Sequence, residues 1–312
     1  MQINDTIFRE LIKRGYSRRK NSRVWDISDS KLWYLTPELS KGFLQLYRYN
    51  PYKINVIERE LHLIRRYANS IVKGFGKKHF NLVDLGCGNG IKSSLFIKSI
   101  KTPVSIRYCP VDISKDYIKV TGEKIKLLKS HLIRGVKPFV SDFKDLDDII
   151  PLLTSPKYRS NLVLLLGGTI SHYEINDFLY TLRNGMMNDS VLVIGNGVRK
   201  GRRFVSVDKY KDPLFNKWFI HIMKGLGFEE DEVKYDARFT SVRLEGYYTI
   251  LTDKVIDYEG KHVRFKKGDE VIVAIQYKYF PDELLKFCKM YFREGELILD
   301  KDEEYCLIVC KK

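Results

Sequence analysis

The sequence predicts an α/β fold, a doubly wound parallel sheet carrying a second, smaller lobe. Three observations predict it. Between residues 81 and 195, short apolar runs alternate five times with segments of helical spacing. The first run, Leu82, Val83 and Leu85, passes directly into Gly86-Cys87-Gly88-Asn89-Gly90, a turn that exposes backbone and opens a helix. At Gly195 the alternation stops, and residues 196 to about 268 are of mixed character before strands and a helix close the chain.

Residues 1–61 show no strand-and-turn rhythm. They hold a short helical pattern (Ile7, Leu11, Ile12) and many aromatics: Trp25, Trp33, Tyr34, Phe43, Tyr47, Tyr49 and Tyr52. Apolar positions at helical spacing over 56–72 predict a helix leading into the first strand. The same criteria then predict helix 91–100, strand 104–111, helix 115–129, a short strand 138–140, helix 144–153, strand 162–166, helix 175–187 and strand 191–194. Crossovers between these parallel strands should be right-handed. Farther on come helix 214–226, alternating runs over 238–252, strand 270–280, helix 282–290 and strand 305–310. The end of the chain fits an antiparallel pair finishing the sheet. This assigns 62–195 and 281–312 to the sheet domain, and 1–61 with 196–280 to a substrate-binding lobe.

Composition narrows the class. The 312 residues are 44% hydrophobic and 30% charged, as in a soluble globular protein. No apolar run approaches the roughly 20 residues of a membrane span, and the polar N-terminal stretch lacks a signal peptide's apolar segment; a cytoplasmic location is expected. The five cysteines form no CxxC pair, which suggests reduced thiols. No histidine stands at metal-ligand spacing, so no metal is expected. The net charge of +16 includes two basic clusters, Arg14–Arg23 and Arg199–Arg203. They suit either a solvated surface or the docking of a phosphate backbone or acidic partner.

The ends of the predicted strands carry the chemistry. A dinucleotide-binding turn needs its third glycine at position 91, where Ile91 stands; glycines at 86, 88 and 90 argue against NAD and match the spacing of an S-adenosylmethionine (SAM) turn. Asp112 follows the second strand, where a carboxylate can accept from both ribose hydroxyls; it also suits a helix cap. Asp142 and Phe143 follow the third strand, placed to meet an adenine amino group and pack on a purine, or to cap the next helix. The fourth strand ends in Gly167-Gly168-Thr169-Ile170-Ser171-His172, a second backbone-exposing turn. His172 can orient or deprotonate an acceptor near neutral pH, or simply begin a helix.

Together these residues resemble the histidine-specific SAM-dependent Nα-methyltransferases of ergothioneine biosynthesis. The likeness runs from about Trp33 onward and lies in NLVDLGCGNGIKS, YCPVDIS, SDF, LLLGGTISHY, GDEVIVAIQYKYFPDEL and the tyrosine-rich YRYNPYKINVIERE. It implies a class I methyltransferase, Rossmann-like core binding SAM through Asp84, Gly86, Gly88, Gly90, Lys92, Asp112, Asp142, Phe143 and Gly167. It implies a substrate pocket drawing on Tyr34, Tyr49, His172 and Gln276, with Tyr49 and His172 assisting catalysis. The chain departs from the family at three points. His172 stands where the family has an asparagine that holds the substrate's amino and carboxylate groups, and Ala274 and Gln276 replace a Glu and a Ser that recognise imidazole. The expected reaction is therefore N-methylation of an amino acid or related small amine other than histidine. Methylation of a macromolecule, RNA or protein, docked by the basic clusters is the competing reading; a SAM-binding protein without catalysis is a third.

Overall fold

The computed structural model describes residues 3–20, 22–49, 53–200, 207–240 and 242–312. In chain order its main elements begin α1 (Asp5–Arg14), β1 (Tyr16–Arg19), β2 (Ser22–Asp26), α2 (Pro37–Arg48), α3 (Glu58–Phe75), β3 (His79–Leu85), α4 (Ile91–Lys98), β4 (Ser105–Asp112), α5 (Lys115–Leu127), β5 (Ile133–Val136) and β6 (Phe139–Val140). They continue with α6 (Leu146–Leu153), β7 (Asn161–Leu165), α7 (Ile175–Gly185), β8 (Val191–Gly197), α8 (Pro213–Gly225), β9 (Val233–Phe239), β10 (Arg243–Ile250), β11 (Lys254–Tyr258), β12 (Lys261–Phe265), β13 (Glu270–Tyr277), α9 (Pro281–Tyr291), β14 (Glu294–Leu299) and β15 (Tyr305–Lys311). The chain forms two compact units, Met1–Tyr49 with Phe204–Lys278, and Asn50–Arg203 with Tyr279–Lys312. Residues 53–61, 196–200 and 279–280, which the sequence reading puts with the lobe, thus belong to the sheet unit.

In the sheet unit the strands run β14-β15-β8-β7-β3-β4-β5, with β6 pairing in parallel with the end of β4. β3 pairs in parallel with β4 on one side and β7 on the other. Strand order reverses at β3, and in such sheets the crevice beyond the carboxyl ends at that point holds the ligand. The last two strands are antiparallel, β15 against β8 and β14 against β15. Residues 80–85 and all of β7 are buried, which is why their sequence reads as unbroken apolar runs rather than alternation. α3 presents Leu63, Ile64, Ala68, Ile71 and Val72 to this core.

The other unit holds a five-stranded sheet, β1-β2-β13-β10-β9, and a separate hairpin, β11-β12. β1 and β2 correct the reading of residues 1–61 as strandless. All four β1 residues are exposed, so β1 has no buried face to leave a period of two, and β2 joins the sheet through a parallel pairing of Val24 with Glu270, distant in sequence. The runs over 238–252 resolve into β9 and β10, and the hairpin β11-β12 was not foreseen.

The first basic cluster is largely consumed within this unit. Arg14 pairs with Glu10 at 2.5 Å, Arg19 with Glu245 at 2.9 Å and Arg23 with Asp269 at 2.5 Å. In the second cluster, Arg199 lies over the Phe280 ring and Lys200 donates to the Asp302 carbonyl. Residues 201–203, Tyr52 and the Tyr47 side chain lie outside the described residues.

Candidate active site

The turn after β3 takes its shape from three left-handed glycines, with φ of +67° at Gly86, +52° at Gly88 and +68° at Gly90. A Cβ at Gly86 would find its nearest neighbour, the Phe143 ring, 4.0 Å away, and one at Gly88 would likewise meet only the Gly86 carbonyl at 4.0 Å. The turn therefore offers bare backbone bordered by open space, a cradle suited to a ligand that lies against the main chain. Gly90 differs, since its Cβ would come within 2.9 Å of Thr121 Oγ1 and 3.2 Å of Thr121 Cα. Thr121 donates to the Gly88 carbonyl at 2.7 Å and Lys124 to the Asn89 carbonyl at 2.6 Å, tying the turn to α5. Gly90→Ala combines a disfavoured φ with this overlap. It is expected to destabilise the sheet unit by about 2 kcal/mol or more, measured by urea denaturation followed by far-UV circular dichroism.

Asp112 ends β4 directly beside this turn. Its Oδ2 accepts the Gly88 N–H at 3.0 Å and its Oδ1 the Ser114 N–H at 2.9 Å. The Cys87 thiol adds a weak contact to Oδ2 at 4.0 Å; an ionised carboxylate has about four acceptor sites, so Oδ1 has room for a hydroxyl and Oδ2 could accept a second in place of the weak thiol contact. Burial raises this carboxyl above the usual range, and the Ser114 and Gly88 N–H groups pull it back down. The cap reading of Asp112 is only partly right, because Ser114 Oγ is the group that caps α5.

β6 pairs Val140 with Asp112 and so brings the third strand's end to the same place. Asp142 Oδ1 accepts the Lys144 N–H at 3.0 Å and caps a 3₁₀ turn over Phe143–Asp145. Phe143 lies edge-on to Tyr173 and Phe178, both at 5.7 Å between centroids, beside Gly86. Asp84 is buried beneath the turn, where the Tyr108 hydroxyl donates to it at 2.5 Å. Burial pushes its carboxyl up to about 6, against the downward pull of Tyr108 and Ser93. The Tyr108 hydroxyl also lies 3.0 Å from Ser93 Oγ, so Asp84 joins β3 to β4 and α4.

At the end of β7, Gly167 and Gly168 are also left-handed, with φ of +88° and +75°. They are held by a residue the sequence reading missed. Glu60, fully buried on α3, accepts the Gly167 N–H at 2.8 Å and pairs with Lys92 Nζ at 2.6 Å. One carboxylate thus ties α3, α4 and the GGT turn together. Lys92, expected as a cofactor contact, has its ammonium on Glu60 and within 2.7 Å of where a Gly167 Cβ would stand. A signal existed in the sequence, since Glu60 falls on the apolar stripe of α3, four residues before Ile64. Asn196 was also missed. It is buried at the end of β8, its Oδ1 lacks a hydrogen-bond partner, and that oxygen lies 3.5 Å from where a Gly168 Cβ would stand. His172 closes the 3₁₀ turn Thr169–His172.

The remaining expected residues lie in the other unit. Tyr49 ends α2, and its hydroxyl donates to Asp212 Oδ2 at 2.9 Å; the Asp212 bond raises this phenol's pKa. Asp212 Oδ1 accepts the Leu214 N–H and so caps α8. Two residues earlier, the Tyr210 hydroxyl donates to Gln276 Oε1 at 2.8 Å. Ala274 faces Gly246 across the sheet. Tyr34 packs edge-on against Phe43 at 5.3 Å and near Trp218. Among the described residues no group of side chains is arranged to hold a metal ion, and no helix is long and apolar enough to cross a membrane.

An S-adenosylmethionine-dependent methyltransferase from Clostridium acetobutylicum is similar at 12% identity and a TM-score of 0.45, over 87% of this chain and 98% of its own. The CMeT domain structure of the citrinin polyketide synthase is similar at 12% identity and a TM-score of 0.46, over 90% of this chain and 58% of its own. No curated protein matches the sequence. A family model described as "Histidine-specific methyltransferase, SAM-dependent" matches residues 40–312, which take in the whole glycine turn and every strand of the sheet unit. A match of that extent places the chain among SAM-dependent methyltransferases, as a member of the histidine-specific methyltransferase family.

Proposed function

We propose that this methyltransferase acts on nitrogen, and that its acceptor is an amino acid or related small amine other than histidine. The observation that carries the reading is the state of residues 274 and 276. Imidazole recognition by a carboxylate has no counterpart at Ala274, and the Gln276 amide oxygen is already taken by Tyr210 and Lys278. Losing a hydrogen bond from a buried charged partner costs on the order of 1.5–3 kcal/mol. The competing reading, a macromolecular substrate, draws less support, because Arg14, Arg19 and Arg23 are spent on acids of their own unit.

When bound, SAM supplies a sulfonium whose methyl group is open to in-line attack by a nitrogen lone pair. The residues fitted to hold it are the glycine turn, Asp112 for the ribose, and Asp142 with Phe143 for the adenine. The remaining tasks are alignment and keeping the acceptor nitrogen unprotonated. Tyr49 suits the second task in a specific way. Its proton is directed to Asp212, so its oxygen presents lone pairs toward an amine N–H, and its raised pKa keeps it a neutral phenol. His172 is the candidate to take a proton as the amine loses it. A chain-terminal α-amino group has an ordinary pKa of about 8, and the amine of a free amino acid is more basic because a carboxylate replaces the electron-withdrawing amide. The rate at low substrate should therefore still be rising with pH at about 8.

The test is transfer from radiolabelled SAM to a panel of amino acids, peptides and tRNA at two ionic strengths. A labelled small amine, with little effect of salt, is the expected result. Label appearing only in tRNA or protein, and falling steeply as salt rises, would replace this reading with the macromolecular one.

A further inference from the structure

We infer that Lys278, Gln276 and Tyr210 form a carboxylate-binding subsite, and that the acceptor is anionic at the group they hold. This deepens the small-amine reading and rests on it for the identity of the occupant.

Hydrogen-bond donors outnumber acceptors in this cluster. Lys278 Nζ donates to Gln276 Oε1 at 2.6 Å and to the Tyr210 hydroxyl at 2.8 Å, and it lies 5.3 Å from the centre of the Tyr210 ring. Tyr210 in turn donates to the same Gln276 oxygen at 2.8 Å. A lysine ammonium has three donors and no acceptor, so the amide oxygen must be the atom facing it, and the orientation of Gln276 follows. The oxygens of the cluster are then engaged, while one Lys278 donor and both N–H groups of Gln276 have no partner among the described residues. No carboxylate among the described residues lies within ion-pair distance of Lys278, although this half-buried ammonium belongs to a unit whose other arginines and lysines are extensively paired. A partly desolvated cation surrounded by unused donors is complementary to an anion with several acceptor atoms, and a carboxylate has that form.

The chain also joins this cluster to the residues proposed for the amine. Tyr210 and Asp212 are two residues apart, which limits their Cα separation to about 7 Å. One short segment therefore carries a hydroxyl of the cationic cluster and the carboxylate that holds Tyr49. Lone pairs for an ammonium and donors for a carboxylate on one segment suit a zwitterionic ligand. The carboxylate could come from the α-carbon of an amino acid or from an acidic side chain.

Calorimetry on the full chain saturated with S-adenosylhomocysteine distinguishes these sources. Its probes are L-glutamate, L-glutamine and 4-aminobutanamide, which bear two, one and no carboxylates. Both amino acids should bind and the amide should not; equal affinities for the first two assign the α-carboxylate, and a preference for glutamate assigns the side chain. Lys278→Met should weaken binding of the preferred probe about 10- to 100-fold, and Lys278→Arg should restore most of it. An amide that binds as well as the amino acids, failure of both amino acids to bind, or an unchanged affinity in Lys278→Met would overturn the inference. Because the readout is binding, a failure here is distinct from a failure of methyl transfer to nitrogen.

Discussion

Asp112→Ala is expected to raise the dissociation constant for SAM about 100-fold, with a matching loss for S-adenosylhomocysteine. Asp112 already holds two backbone N–H groups, one from Gly88 in the glycine turn and one from Ser114 before α5. Its carboxylate is a clamp on the turn and, in the proposed site, also the acceptor for the ribose hydroxyls. Hydrogen bonds to a charged group contribute about 1.5–3 kcal/mol each, and two hydroxyls therefore correspond to roughly 3 kcal/mol or more, about a factor of 100. Asp112→Asn makes the sharper comparison. An amide can present only one oxygen, so either the Gly88 or the Ser114 N–H must face an NH₂ group. The Asn variant should bind SAM nearly as poorly as the Ala variant while unfolding at a lower urea concentration than the native chain. Calorimetric titration with SAM measures the first effect, and native affinity in either variant would remove Asp112 from the cofactor site.

The parts of this site that the sequence reveals are those whose geometry is local. The glycine turn is legible because strand, turn and helix follow one another without a gap, and Asp112 because it stands at the end of the next apolar run. Glu60 escaped because its partners, Lys92 and Gly167, come from α4 and the end of β7. In composition it counts as one more surface carboxylate on a helix. The basic cluster misled for the same reason. Arg19 meets its acid 226 residues away and Arg23 meets its own 246 residues away, so a run of charge that looks free on an exposed surface is in fact partly spent on acids distant in sequence. β1 and β2 were invisible because pairing, of β2 with β13 and of β1 with β2, rather than any periodicity of their own, makes them strands. The departures at 274 and 276 are legible only as substitutions. That Lys278 and Tyr210 converge on Gln276 is visible only in the folded chain, because Tyr210 lies 66 residues before Gln276.

Glu245 is the residue whose loss should cost the most stability. It is fully buried in β10, between β9 and β13, and three guanidiniums converge on it. Arg19 donates to both of its oxygens at 2.9 and 3.2 Å, Arg238 at 2.8 Å, and Arg243 at 2.9 and 3.0 Å. Two of these arginines reach further acids, Arg238 to Glu270 and Arg243 to Asp26, so the cluster is close to neutral as long as Glu245 is ionised. Glu245→Gln leaves three cations around an uncharged amide. Breaking a buried ionic network from one side typically costs about 3–5 kcal/mol, and a loss of that size is expected here. Burial pushes the Glu245 carboxyl upward, but Arg19, Arg238 and Arg243 outweigh it and hold it at about 2, below the ordinary 4.5. The sign of the pH effect follows from that order. Above about 4.5 the carboxylate is ionised in both the folded and unfolded chain, and its full contribution is present. Between about 4.5 and 2 the unfolded chain takes up the proton and the folded chain does not, so stability falls as the solution is acidified. The interval corresponds to roughly 3 kcal/mol. All three tryptophans, Trp25, Trp33 and Trp218, belong to this unit, so their fluorescence in urea titrations reports its unfolding alone. The native chain should lose stability steeply from pH 5 toward pH 3, and Glu245→Gln, already weakened at pH 7, should lose much less over the same range. Parallel acid profiles for the two proteins, or a variant within about 1 kcal/mol of native at pH 7, would show that the three arginines are held apart by something other than Glu245.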